Sequence, residues 1–235
     1  MNLVLLFEAD FVQNDHVTLS GRRLRHVTEI HRAHVGDELT VGLLGGKIGK
    51  GTILRLDESA LEMRVALDRE PPPPLPITLV LALPRPKVLN RVIAGATSMG
   101  VERIFLINAW RVEKSYWKSP RLSEENLFEQ RILGLEQARD TRLPPIELRR
   151  FFRPFVDDEL PRLISGTRAL LAHPGDAPVL SAQSEPVTLA IGPEGGFIEA
   201  ELASLEKAGF APVSLGPRIL RVETAVAAAV AMLTR

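Results

Sequence analysis

Two stretches near the C-terminus concentrate the residue types that hold small ligands and act on them. Val187 to Ile191 is an aliphatic run that ends at Gly192-Pro193-Glu194-Gly195-Gly196, ahead of a polar–apolar pattern from Glu199 to Ala208. A strand that stops at a glycine-rich loop and restarts as a helix is where α/β proteins bind ligands. Glycine lets the main chain come close, and the first turn of a helix offers unpaired N–H groups. The same spacing also fits an ordinary strand-to-helix turn. The second stretch repeats the layout: a strand over Val213 to Leu215, a break at Gly216-Pro217, and a long helix from Val222. Its loop carries Arg218, Arg221 and Glu223 around the apolar pair Ile219-Leu220. Two cations and a carboxylate beside a ligand loop are the groups of acid–base and electrostatic catalysis. Glu223 equally suits the first turn of a helix, where a negative charge meets the positive end of the dipole.

Taken as an ordered pair, Gly192-Pro-Glu-Gly-Gly-Phe197 and Leu215-Gly-x-Arg-Ile-Leu-Arg-x-Glu-Thr-Ala225 resemble the last two motifs of the SPOUT methyltransferases. They are most similar to the RsmE family, which methylates N3 of a uridine in bacterial small-subunit (16S) rRNA. The resemblance implies an α/β protein, with an N-terminal PUA-like β-barrel over residues 1–70 and a SPOUT methyltransferase domain over 75–235 that ends in a trefoil knot. That knot would break the rule that chains do not thread their own loops. The implied methyl donor is S-adenosyl-L-methionine. Its pocket would draw on Leu171, Ile191, Gly192, Pro193, Glu194, Gly195, Gly196, Leu215, Gly216, Ile219, Leu220, Thr224 and Ala225, with apolar residues around adenine and main-chain groups reading its edge.

Transfer to uracil N3 requires loss of the N–H proton, and the resulting charge spreads onto O2 and O4. Arg221 is expected to stabilise uracil or its anion, with Arg218 beside it. Glu223 is the base or the group that orients Arg221. For Glu194 a loop-structural role is expected instead of a catalytic one. The family also implies an rRNA partner, within the small ribosomal subunit, and a homodimer. Two other readings are an enzyme of the same superfamily acting elsewhere on RNA, such as a ribose 2′-oxygen, and a non-catalytic RNA-binding assembly factor.

The middle of the chain departs from the family. Gly95-Ala-Thr-Ser-Met-Gly-Val101 stands where a Lys-Ala-x-Glu-Leu-Gly-Val pattern is usual. Asp140 follows Glu136-Gln137 where an arginine is common, with Arg142 nearby. These changes bear on the substrate and leave the donor loops intact.

The formal net charge of zero gives no global electrostatic case for nucleic acid. Arginine nevertheless makes up 23 of the 29 basic residues, and its planar fork suits phosphates and base faces better than lysine does. RNA contact must therefore come from local clusters. One lies on an expected helix from Ser20 to His34, where Arg22, Arg25, His26 and Arg32 share roughly one face. They form either a solvated face or a phosphate-contacting one. Arg25-His26, Arg32 and Gly36-Asp37 also match the family's pattern. Another cluster is Arg111, Lys114, Tyr116, Trp117, Lys118 and Arg121, which reads as a mobile loop or as a surface that stacks a base. Arg149, Arg150 and Arg153 are a weaker third.

No cysteine is present, so disulfides and thiolate metal sites are excluded. His26, His31 and His34 lie at spacings of five and three, which do not give a His-x-x-x-His pair, and no metal is expected. The apolar start at Met1–Phe7 lacks a basic residue and runs into Glu8 and Asp10, unlike a signal peptide. With no apolar run near the ~18 residues of a membrane helix, a soluble cytoplasmic protein without membrane contact is expected.

Residues 1 to about 70 alternate in short strands, at Val17–Leu19, Glu38–Val41, Gly51–Leu54 and Leu61–Val65, with a hairpin turn at Gly45-Gly46. Pro71 to Pro74 and Pro76 form a stiff spacer that marks a boundary, because proline is excluded from central strands. Strands are then expected at Ile77–Leu83, Arg103–Ile107, Ala169–Ala172, Val187–Ile191 and Val213–Leu215. They alternate with helices at Lys87–Met99, Ser123–Ala138, Asp157–Ile164, Glu199–Ala208 and from Val222. That order implies a mostly parallel sheet. The last helix is apolar nearly all round, so it must be buried, either in its own domain or against a second copy.

Overall fold

A computed structural model describes residues 2–234. The chain divides into two compact units, one of Met1–Pro73 with Ile132–Leu143, the other of Pro74–Arg131 with Pro144–Arg235. Residues 132–143 group with the first unit, so a single cut at the prolines does not describe the division.

The first unit is a six-stranded curled sheet in the order β1-β4-β5-β6-β3-β2. Its strands are β1 (Val4–Leu6), β2 (Phe11–Gln13), β3 (His16–Leu19), β4 (Glu38–Leu43), β5 (Ile48–Leu56) and β6 (Leu61–Arg69). Alternation puts Val17, Leu19, Val41, Ile53, Leu61 and Met63 inside, all but solvent-free. The pairs are antiparallel except β1 with β4, which run parallel. The apolar N-terminus thus becomes an edge strand.

Helix α1 (Gly21–His26) passes into a single π-helical turn at Val27–His31, and Arg32 ends it in the left-handed conformation at φ 51°. The expected continuous face of Arg22, Arg25, His26 and Arg32 is therefore interrupted, and Arg32 lies beyond the helix. Leu24 and Val27 turn inward onto the sheet core.

The second unit is built on a fully parallel six-stranded sheet, β12-β10-β11-β7-β8-β9. It comprises β7 (Leu75–Ala82), β8 (Val101–Ile107), β9 (Ile146–Arg149), β10 (Arg168–Ala172), β11 (Val187–Ile191) and β12 (Ala211–Val213). Strands β7, β10 and β11 read as near-continuous apolar runs because helices cover both faces. The helices are α2 (Pro86–Ser98), the part of α3 (Glu124–Ala138) up to Arg131, α4 (Phe152–Pro154), α5 (Leu160–Leu163), α6 (Glu199–Lys207) and α7 (Val222–Leu233).

Three expectations are corrected. Strand β9 lies on the sheet edge, and its half-buried Ile-Glu-Leu-Arg escaped notice. Strand β12 ends at Val213, while Ser214 forms an isolated bridge with Val179. The helix expected from Asp157 instead starts at Phe152 and includes a π-helical turn at Phe155–Glu159. Pro76 does fall within central β7, but at a register shift between Leu75 and Thr78. There the missing N–H costs no ladder bond, and regular pairing to β11 begins at Ile77.

From β7 the chain first builds outward through β8 and β9. It then crosses to β10 and returns to lay β11 between β10 and β7. Such a reversal opens a crevice at the carboxyl ends of the strands. The expected apolar stripe of α7, Val222, Ala225, Val226, Ala229, Val230 and Leu233, is entirely buried within this unit, where α7 packs against α2.

Candidate active site

The carboxyl ends of β7, β10 and β11 and the loop before α7 enclose a cleft of about 910 Å3. That volume is in the range of small-molecule sites, roughly 300–1,000 Å3. Each wall follows from a strand stopping. Gly192-Pro193 breaks β11. A Cβ on its glycine would stand 3.1 Å from the Phe197 nitrogen and 3.3 Å from the Gly196 Cα, tighter than side chains ordinarily pack. Gly196 sits at φ +72° and Gly216 at φ +110°, conformations that L side chains rarely adopt. The Ser214 hydroxyl accepts the Gly216 N–H at 3.2 Å and holds the second loop's entry.

Glu194 accepts the Arg85 N–H at 2.9 Å. Arg85 is the residue that caps the N-terminus of α2. The carboxylate therefore satisfies an otherwise unpaired helix-end group and sits at the positive end of a helix. Glu201, nearly buried, accepts two N–H groups, from Ile198 at 3.0 Å and Trp110 at 2.7 Å. It thereby pins the start of α6 to the loop after β8. Arg111 donates to the Gly195 carbonyl and lies so close that a Cβ on Gly195 would meet its Cδ at 2.9 Å.

Of the residues expected to hold the donor, Ile191, Gly192, Pro193, Glu194, Gly196, Leu215, Gly216, Ile219, Leu220 and Ala225 line this cleft. Gly195 faces Arg111. Thr224 points to solvent. Leu171 is fully buried in β10, and its neighbours Ala172, His173 and Pro174 reach the cleft in its place. Arg218, Arg221 and Glu223 all line it.

The far wall was not anticipated from the sequence. It comes from α2, with Arg85, Lys87, Val88 and Arg91, together with Tyr116. The only local signal was an Arg-Pro-Lys following an apolar strand. Glu223 pairs with Arg91 at 3.5 Å. Five cations, Arg85, Lys87, Arg91, Arg218 and Arg221, face two carboxylates, Glu194 and Glu223, around the opening. Burial, then the Glu113 carboxylate, pushes the Tyr116 phenol above its usual value, so it stays a neutral hydroxyl.

The expected RNA-contact residues separate into two kinds. Arg22 is committed to Glu136, with two hydrogen bonds of 2.9 and 3.0 Å to a carboxylate that is only 2% exposed. Its guanidinium thus already has a partner within the fold, although 41% of the side chain stays exposed. Arg23 is likewise held by Asp10. Arg25, Arg32 and Lys114 are exposed. His26 stacks edge-on against His31, with ring centroids 5.2 Å apart. Burial, then neighbouring positive charge including His31 and Arg22, lowers its pKa. Tyr116 and Trp117, expected as base-stacking aromatics, are half-buried and hydrogen-bonded to Glu113 and Asn108. Among the described residues no cluster of metal-ligating side chains forms, and no helix is long and apolar enough to cross a membrane.

A family model for RNA methyltransferase domains matches residues 71–234. The chain is 31% identical to ribosomal RNA small subunit methyltransferase E of Treponema pallidum, over 99% of this chain and 90% of that protein. It is 29% identical to the protein of the same name from Mycobacterium tuberculosis, over 87% and 80%. Among solved structures it is similar to a methyltransferase from Legionella pneumophila in complex with bound cofactor SAM. That match has TM-score 0.75 and 25% identity, covering 98% and 96% of the two chains. A ribosomal RNA small subunit methyltransferase E from Neisseria gonorrhoeae has the same fold, with TM-score 0.74 at 24% identity over 97% and 95%.

Proposed function

From the chain's membership of the RNA methyltransferase family, in its ribosomal RNA small subunit methyltransferase E branch, we propose that it methylates N3 of a uridine in 16S rRNA. S-adenosyl-L-methionine is the methyl donor. The observation that carries this reading is the convergence of two strand-end loops, 192–196 and 215–221, on one cleft with Arg218, Arg221 and Glu223 at its edge.

The cleft fits the donor. Ile191, Leu215, Leu220 and Ala225 offer apolar walls for adenine. The glycines at 192, 196 and 216 leave main-chain groups open where side chains would intrude. When bound, the donor supplies an electrophilic methyl on a positive sulfur. The chain's own residues then have three tasks: to hold the uracil edge against that methyl, to favour the N3 anion, and to keep water out.

Arg221 stands at the N-terminus of α7, with its carbonyl accepting the Ala225 N–H. From there its guanidinium stabilises charge building on a uracil carbonyl oxygen. Glu223 is paired with Arg91 at 3.5 Å, an ion pair that holds the carboxylate against α2 and favours a positioning role over proton removal. Its partner is Arg91, where the sequence suggested Arg221. The donor's own charge assists loss of the N3 proton, so alignment matters more than a strong base.

The same reading includes a PUA-like barrel in the first unit, supported by its unbroken run of six paired strands in a curled sheet. It also includes a trefoil knot in the second. The stretch 178–180 is hydrogen-bonded across Ser214 just before the chain re-enters the unit as α7, which is consistent with threading. A homodimer in the cytoplasm, acting on rRNA within the small subunit, completes it.

The test is methylation by the purified protein of 16S rRNA and of assembled small subunits, with mass mapping of the product nucleoside. N3-methyluridine is expected. A 2′-O-methyl product would move the acceptor to ribose, and no transfer with either substrate would remove the enzymatic reading.

A further inference from the structure

We propose that Trp110 and Phe151 form a stacking platform that holds unpaired RNA bases flanking the target nucleotide. The proposal rests on the RNA methyltransferase reading and adds a surface to it. Trp110 is 79% and Phe151 73% exposed, while of the aromatics expected to stack, half-buried Tyr116 lines the cleft and half-buried Trp117 is bonded to Asn108. Both exposed rings leave the sheet at one edge. Ile107 of β8 pairs in register with Arg149 of β9, and the Asn108 N–H donates to the Arg149 carbonyl at 2.9 Å. The two chains then run out of the sheet together, and each presents an aromatic within three residues of that pair.

The rings stand on anchored backbone. The Trp110 N–H is held by buried Glu201 at 2.7 Å, between buried Ala109 and Val112. The Phe151 carbonyl accepts the Phe155 N–H, and neighbouring Phe152 packs on Phe197 with ring centroids 6.3 Å apart. Single exposed apolar side chains are ordinary, but aromatics raised together from one pair of strand ends form the kind of patch that marks an interaction site.

The occupant is identified by charge and by continuity with the cleft. Each aromatic has an arginine next to it in sequence, Arg111 and Arg150, and Lys114 and Arg153 are also exposed. Of the local carboxylates, Glu113 is bonded to Tyr116, Glu201 is buried, Glu147 and Glu159 pair with Arg149, and Asp157 pairs with Arg153, which leaves Arg111, Lys114 and Arg150 against exposed Asp158. Arg111 in turn donates to the Gly195 carbonyl of the donor loop. The platform therefore touches, through Arg111, the loop whose neighbouring residues Gly192 to Glu194 and Gly196 line the cleft. Aromatic faces beside cations are the format for single strands, whose bases have free π-faces, and a duplex hides those faces.

The test uses the full-length protein. With Trp117→Phe, Trp110 is the sole tryptophan. Its fluorescence is expected to be quenched by a uridine-containing single strand of about 12 nucleotides and not by a duplex of equal length. Trp110→Ala and Phe151→Ala should each weaken single-strand binding about tenfold, from the loss of one stacked base. Donor affinity and melting temperature should stay unchanged, and Trp110→Phe should restore binding. Unaltered RNA affinity in both alanine variants, or equal quenching by duplex, overturns the proposal. So does a Trp110→Ala variant whose only change is dissociation of an oligomer, which would assign the surface to a second copy. Absence of methyl transfer by the unmodified protein would instead count against the enzymatic reading, and the binding measurements do not depend on it.

Discussion

Replacing Arg22 by alanine should destabilise the protein and leave its electrostatic grip on RNA intact, the reverse of what a basic helix face suggests. Glu136 is 2% exposed, and Arg22 supplies both of its side-chain hydrogen bonds. Removing one partner of a buried pair costs about 3–5 kcal/mol, because the remaining charge is left uncompensated. Arg22 itself is 41% exposed, so water can reach part of the vacated space, and the lower range, about 2–3 kcal/mol, applies. For a unit of this size each kcal/mol moves the melting temperature by about 4–8 °C, which gives a drop of roughly 10–20 °C. Glu136→Gln in the Arg22→Ala background should recover most of that loss by removing the stranded charge. The companion measurement is the salt dependence of RNA binding. A true phosphate contact contributes about 0.7 to the slope of log K against log salt on single strands, so Arg22→Ala should leave the slope unchanged, while Arg25→Ala should lower it. An Arg22→Ala protein with normal melting behaviour and a reduced salt slope would refute this assignment.

Arg221→Ala should lower methyl transfer by about 100-fold or more, as loss of an oxyanion-stabilising donor does, with donor affinity by calorimetry unchanged. Glu223→Gln should cost less than about tenfold if the carboxylate positions and does not remove the proton; a loss matching that of Arg221→Ala would restore it as a base. Gly196→Ala forces an L side chain to φ +72° at about 1–2 kcal/mol, and titration calorimetry should show weaker donor binding; unaltered affinity and stability would mean the loop does not need that conformation. Glu201→Ala strands two N–H groups, from Ile198 and Trp110, and should reduce unfolding free energy in denaturant by about 2–4 kcal/mol. The His26 ring is held below its ordinary value of 6.5 by burial and by nearby positive charge. Its contribution is therefore complete above that value and is lost as pH falls through about 6.5 toward the lower folded value, because the unfolded chain binds the proton more readily. His26→Asn should flatten that part of the stability profile.

What could be read from the chain, and what could not, divides by the range of the interaction. Strand β11 and helix α7 were legible to the residue, because an aliphatic run stopped by Gly192-Pro193 and an apolar helix beginning at Val222 announce themselves locally. Both ligand loops followed from the same signals. Strand β12 was displaced by two residues, since Val213-Ser-Leu215 is more apolar than the edge sequence Ala211-Pro-Val213 that actually pairs. The pairing of Arg22 with Glu136 spans 114 positions, and no periodicity distinguishes such an arginine from one on a solvated face.

The same limit governs the active site. Its loops are written in consecutive residues, but its far wall depends on β11 being laid between β10 and β7. That strand order brings the cap of α2 to Glu194 across 109 positions and puts Arg91 opposite Glu223. The strand order therefore changes the chemistry assigned to a single side chain. Read in isolation, Glu223 is a candidate base; beside Arg91 it is also one half of an ion pair at 3.5 Å. On the proposed reading, methyl transfer in this cleft relies on alignment and on Arg221, and its rate should respond to displacements of the two loops more steeply than to the loss of any one acidic group.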